Sequence, residues 1–176
     1  MVKVVVARRL SRHPDRCRAR AQMAREARLL RSLAPSPGFP HCLGVAQSAE
    51  GAPALLMEAV PGESLASLVQ REGRLPVRVA VELMAAISRH LADAQRRVEL
   101  IHGDLRPHNV LLTPAGRVVI VDLGASCGIG LDREDLTVWL VGGPFYTAPE
   151  VMDGQAPAAA SDAFSCLLYT SDAADE

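Results

Sequence analysis

Lysine is all but missing from this chain. Of its 19 basic residues every one but Lys3 is arginine. With the abundant alanine, this skew is that of GC-rich coding, a matter of codon usage rather than physics. A lysine kept against such a background marks its position. An excess of either charge is also missing. Nineteen basic residues face 20 acidic ones, for a net charge of −1, which argues against nucleic acid as the main partner. No apolar run approaches the roughly 18 residues that a membrane span needs. The N-terminus has no basic-then-apolar signal pattern. No membrane segment is expected, and the location expected is cytoplasmic. The four cysteines, Cys17, Cys42, Cys127 and Cys166, lack paired metal spacing. They read as free thiols in a reducing compartment. What is present is 176 residues, 49% of them hydrophobic, enough for one domain with its own core.

The most informative stretch is His102-Gly103-Asp104-Leu105-Arg106-Pro107-His108-Asn109, followed by Val110-Leu111-Leu112 and, past a turn, Val118-Val119-Ile120-Val121-Asp122-Leu123-Gly124. A polar loop carrying Asp104 and Asn109 leads into a strand. A second strand ends on Asp122. The hairpin predicted here sets Asn109 at its start and Asp122 at its end, facing each other. Two oxygen ligands on rigid strands suit Mg²⁺, which takes oxygen and keeps several waters. Asp104 lies beside them, free to orient a hydroxyl nucleophile. The alternative is a chance hairpin with solvated carboxylates.

Elsewhere the pattern predicts Met1 to Leu10 as a β-branched strand and Pro14 to Leu33 as a helix. That helix carries Met23, Ala27 and Leu30 on one stripe, extended by Leu29 and Leu33, with Glu26 on its flank. A turn-rich connector from Ala34 to Pro40 follows. Two strands, Cys42 to Ala46 and Ala54 to Ala59, flank a polar turn. Helices are expected at Ser64 to Arg71 and Pro76 to Arg97, the second with Ala80, Met84, Ile87, Leu91 and Ala94 facing the core.

Together these features resemble the protein-kinase signature. The catalytic loop of that family reads H-R-D-L-x-x-x-N, and its metal-binding Asp heads D-F-G. Gly142-Gly143-Pro144-Phe145-Tyr146-Thr147-Ala148-Pro149-Glu150 looks like the end of a kinase activation segment, with A-P-E intact. Either half occurs in other contexts; both in order are specific. The resemblance covers residues 1–165 and is to bacterial Hanks-type Ser/Thr protein kinases. It implies an α+β, two-lobe fold, here partial, with an incomplete β-rich N-lobe over residues 1–59 and an incomplete helical C-lobe over 60–165.

It also implies roles. ATP and Mg²⁺ are the cofactors and a protein substrate is the partner. Asn109 and Asp122 hold the metal, Asp104 accepts the substrate hydroxyl proton, and Arg106 stands where a lysine usually meets the γ-phosphate. Val2-Lys3 matches the end of the strand V-A-I-K, and Glu26 matches the helix glutamate that pairs with that lysine. Arg8 competes with Lys3 for the position, although its planar fork is a poor substitute for a compact ammonium. Leu55 to Gly62 looks like the hinge, where backbone groups at Glu58 and Val60 meet the adenine edge and Met57 is the gatekeeper. Core packing is the plainer reading of Met57, and both can hold. Asp162 resembles the residue that ties down the catalytic-loop backbone from the following helix.

Several positions depart from the family pattern. Gly103 replaces the Arg that reads a phosphorylated activation loop, so Thr137 is not expected to act as a switch. Gly143 replaces a Thr that bonds the catalytic Asp, and Leu123 replaces Phe. No G-x-G-x-x-G loop occurs, and nothing precedes Lys3 to form the first two strands. The chain as written is therefore expected to be a poor enzyme. The tail, 166–176, departs from the pattern expected after Asp162 and back-translates to a sequence resembling a transposon-based sequencing adapter, so a non-native tail is expected there. Two other classes of function fit parts of the pattern. A pseudokinase or scaffold fits the missing Gly-rich loop, and a small-molecule phosphotransferase fits His102-Gly103-Asp104. Ala148-Pro149-Glu150, which builds a protein-substrate platform, discriminates against the latter.

Overall fold

The computed structural model describes residues 16–47, 53–128 and 146–173. Lys3, Arg8, Thr137 and Gly143 lie outside them. Helix α1 (Arg16–Leu33) buries the predicted stripe: Met23, Ala27, Leu29, Leu30 and Leu33 are all buried. It stops before Ala34-Pro35, since the residue before a proline is pushed out of the helical region. Strands β1 (Cys42–Gln47) and β2 (Pro53–Met57) pair antiparallel, with Val45 opposite Leu55. The second strand ends earlier than its apolar run suggests, although Glu58 still donates to the His41 carbonyl at 2.8 Å. Helix α1 packs on both strands.

The chain then enters a second group of elements. Strand β3 (Glu63–Ser64) leads into α2 (Leu65–Glu72), and the Ser64 hydroxyl caps that helix by accepting from the Ser67 N–H at 3.1 Å. Helix α3 (Val77–Val98) begins after Pro76 and buries Ala80, Leu83, Ile87, Ala94 and Val98, while Met84 and Leu91 are partly buried against the core. Strands β4 (Val110–Leu112) and β5 (Val118–Ile120) form the predicted hairpin, and β3 adds to its edge in the order β3-β4-β5. At the join a side chain on Gly62 would lie 2.3 Å from the Leu112 carbonyl oxygen, so only glycine admits this approach. A short helix α4 (Pro149–Met152) and helix α5 (Ala159–Ala173) complete the described chain, with α5 against α3.

One apolar core joins the two groups: Leu30 of α1, Leu55 of β2, Ile87 of α3, and Leu105, Ile120 and Leu123 around the hairpin. Helix α5 runs unbroken past 165 to Ala173, and Cys166 belongs to that core. A buried cysteine packs there as a small apolar residue.

Candidate active site

The loop 102–109 starts where Ile101 and Cys127 exchange both of their main-chain hydrogen bonds, each 3.0 Å. His102 is fully buried. Its Nε2 lies 3.2 Å from the Val121 carbonyl, and its Nδ1 accepts from the Asp104 N–H at 3.3 Å. A carbonyl can only accept, so Nε2 is the donor in that contact. Beneath it, the Asp162 carboxylate accepts from the His102 N–H at 2.7 Å and the Gly103 N–H at 2.9 Å. Both partners are the loop's own main chain. Burial pushes the Asp162 pKa up, against the two N–H bonds that favour its charge.

Asn109 is buried and organises the loop. Its Nδ2 donates to the Asp104 carbonyl at 2.8 Å and to Asp104 Oδ2 at 3.1 Å. Its own carbonyl accepts from the Val121 N–H at 2.9 Å, which fastens the start of β4 to the end of β5. Asp104 is half-buried, and that burial raises its pKa, partly offset by the Arg106 guanidinium. Arg106 Nε is buried and has no hydrogen-bond partner among the described residues.

Asp122 stands at the far end of the hairpin with φ 68° and ψ 74°, a left-handed backbone that Asp tolerates better than most residues. Its Oδ1 accepts from the Gly124 N–H at 3.2 Å, capping the short turn Leu123–Ala125. Helix α1 reaches this turn at two points. Glu26, 2% exposed, accepts from the Leu123 N–H at 3.2 Å. Gln22 donates from Nε2 to the Gly124 carbonyl at 3.0 Å.

Of the residues singled out from the sequence, Asp104, Arg106, Asn109, Asp122 and Glu26 are brought to one region. Lys3, the expected partner of Glu26, lies outside the described residues. Met57 is buried and Val60 is half-buried. The Glu58 N–H is taken by His41, so this residue has its carbonyl rather than its donor for a ligand. The Glu58 side chain, which the sequence reading passed over, accepts from the His41 N–H at 3.2 Å and pairs with Arg117 at 3.1 Å. Gln22 was passed over too. Its only signal was its place one turn before Glu26, on the same helix face.

The donor set fits Mg·ATP. With Asn109 Nδ2 committed to Asp104, Asn109 presents Oδ1, and Asp122 presents a carboxylate. Two protein oxygens suffice for Mg²⁺ when substrate phosphates complete its shell. No group of three or more His, Cys, Asp and Glu side chains that could hold a metal exists among the described residues. The unpartnered Arg106 Nε is a buried donor that a phosphate oxygen would satisfy.

Comparison with known proteins points the same way. The model of the protein kinase domain matches residues 2–171. The serine/threonine-protein kinase PknA of Corynebacterium glutamicum is 40% identical over 114 residues, which cover 63% of this chain and 24% of that protein. PknK of Mycobacterium tuberculosis is 34% identical over 149 residues, 83% of this chain and 13% of that protein. PknA of Mycobacterium tuberculosis is 37% identical over 111 residues, 63% of this chain and 26% of its own length. The aligned regions are a minor part of each of these relatives.

Proposed function

This chain belongs to the protein kinase domain family, and from that premise we propose that it carries out ATP-dependent phosphoryl transfer to serine or threonine hydroxyls of a protein substrate. What carries this reading is the Asn109 side chain. It bonds the main chain and the carboxylate of Asp104 at once, so the base and the metal ligand are held as one unit.

In this reading the substrate hydroxyl oxygen forms a bond to the γ-phosphorus as the bond from that phosphorus to the bridging oxygen of ADP breaks. The hydroxyl proton passes to Asp104. Mg²⁺, held by Asn109 and Asp122, would supply charge neutralisation to the phosphate oxygens. Arg106 meets phosphate charge from the loop. Lys3 and Glu26 would position the phosphates, and Glu58, Val60 and Met57 would receive the adenine. Asp162 keeps the loop main chain from shifting as charge moves through it, which is the positioning on which such transfers depend. The protein-substrate platform is assigned to Ala148-Pro149-Glu150. Glu150 there accepts from the Ser161 hydroxyl at 2.7 Å, and the Tyr146 carbonyl accepts from Ser165 at 2.6 Å. A cytoplasmic location goes with this substrate class.

The test uses γ-labelled ATP, the intact protein and a generic serine-rich acceptor protein. Wild type should label serine or threonine. Asp104→Asn should lose about 10²- to 10⁴-fold in rate, the span of one general base, and still bind Mg·ATP. Turnover at the wild-type rate in Asp104→Asn would overturn the assignment.

A further inference from the structure

We infer that Gln22 is a positioning residue for the metal loop, orienting the Asp122 carboxylate through Gly124. The inference rests on the phosphoryl-transfer reading above.

The geometry is a relay of two hydrogen bonds through one residue. Gly124 donates its N–H to Asp122 Oδ1 at 3.2 Å and offers its carbonyl to Gln22 Nε2 at 3.0 Å. Glycine has the widest backbone freedom of any residue, so a Gly124 held only at its N–H could turn and carry Asp122 Oδ1 with it. Gln22 removes that freedom from the carbonyl side. The Asp122 backbone is itself in the left-handed region. A non-glycine residue persists there only where its surroundings over-determine it.

The helix side is matched to this task. Gln22 and Glu26 stand one turn apart on α1, which puts their side chains about 5–6 Å apart at Cβ. Glu26 accepts from the Leu123 N–H and Gln22 donates to the Gly124 carbonyl. An acceptor meets a donor and a donor meets an acceptor, so the helix fits this turn in one register. A single contact would leave the turn free to pivot, whereas two fix its rotation as well as its distance. Gln22 reaches the loop at the Gly124 carbonyl. Its effect on the metal site runs wholly through Gly124.

The experiment compares Gln22→Leu, Gln22→Glu and Gln22→Lys with wild type in the intact protein. Leucine removes the donor, glutamate keeps the shape but sets an acceptor against a carbonyl, and lysine restores a donor. The readouts are the Mg²⁺ dependence of binding of a fluorescent ATP analogue, amide hydrogen exchange across 122–125, and the melting temperature. Gln22→Leu and Gln22→Glu should raise half-saturating Mg²⁺ about threefold to tenfold, what one partly buried hydrogen bond is worth. They should also speed exchange at Gly124, with the melting temperature held. Gln22→Lys should stay within about twofold of wild type. The inference is overturned if Gln22→Leu leaves both Mg²⁺ dependence and exchange unchanged. It is overturned equally if all three variants lose Mg²⁺ affinity only in step with melting temperature. If wild type itself binds no nucleotide in a Mg²⁺-dependent way, the phosphoryl-transfer reading falls and this one falls with it. If wild type binds and the variants match it, only the present inference falls.

Discussion

Two buried carboxylates hold the loops that carry Asp104 and Asp122, and they do so differently. Asp162 sits in the first turn of α5 and grips the catalytic loop with both oxygens, at 2.7 and 2.9 Å, on consecutive main-chain N–H groups. A short side chain near a helix N-terminus, where the dipole favours its charge, is a rigid anchor. Glu26 lies in the middle of α1, has one more rotatable bond, and reaches the Asp122 loop through an N–H at 3.2 Å. The loop that carries Asp104 is thus fastened to the helical body, and the loop that carries Asp122 to a helix packed on the small sheet. The Asp104 loop is tied to α5 by Asp162. The Asp122 loop is tied to α1 by Glu26 and Gln22.

That contrast can be broken most decisively at Asp162. Asp162→Ala strands two buried N–H groups, each losing a charge-assisted bond of about 1.5–3 kcal/mol, so a loss of about 3–6 kcal/mol is expected. Chemical denaturation would measure it. Asp162→Asn should recover about half, since the amide can accept one N–H and opposes the other. If Asp162→Ala unfolds no more easily than wild type, the catalytic loop is not supported from α5.

Next in size is Asp122→Ala, which removes the charge at the metal site. Mg·ATP affinity measured by calorimetry should fall about tenfold to a hundredfold, the worth of one charge-assisted interaction. Unchanged affinity would remove Asp122 from the metal site. Glu26→Gln keeps an oxygen for the Leu123 N–H and gives up its charge, so it should cost only about 0.5–1.5 kcal/mol in a melt. If Glu26→Gln proves costlier than Asp162→Asn, the ranking of the two supports is reversed.

The smallest effect is in pH. Burial holds the Asp104 pKa above its ordinary value, so the acid limb of kcat/KM should lie above the value of about 3.9 for an exposed aspartate. Arg106→Gln removes a favourable charge and should move the limb further up. The stability sign follows from the same shift. Between the unfolded and folded pKa values the folded state binds more protons, so stability falls as pH rises through that window. Asp104→Asn should flatten this dependence. An acid limb that stays put in Arg106→Gln would show that the guanidinium does not act on Asp104.

The loop at Asp104 and the hairpin ending on Asp122 were legible because their spacing is local and their residue types are rare in combination. The tie from Asp162 was legible only through the family resemblance, since nothing in the sequence near 162 says which amides it meets. Helix α1 was read from its stripe of Met23, Ala27 and Leu30. The bond that Glu26 accepts from the Leu123 N–H, 97 residues away, was not legible. Main-chain donors look alike in any sequence, so such a bond leaves no mark there. The same holds for Gln22, a helix polar residue whose partner is a carbonyl, and for the Glu58 side chain, whose Arg117 partner sits beyond the turn of a distant hairpin.

The β4–β5 hairpin has a consequence in time as well as in space. Its turn is closed by Thr113, whose N–H donates to the Arg117 carbonyl at 2.9 Å while its hydroxyl accepts from the Arg117 N–H at 3.0 Å. The bond between the Asn109 carbonyl and the Val121 N–H closes the other end. All of these contacts are short-range in sequence, whereas the Asp162 and Glu26 ties span 60 and 97 residues. Loop-closure entropy must be met before distant contacts stabilise anything, and hairpins form on a scale of about 1–10 μs. Asn109 and Asp122 should therefore already be neighbours in the folding chain while Asp104 and α1 still lack their anchors.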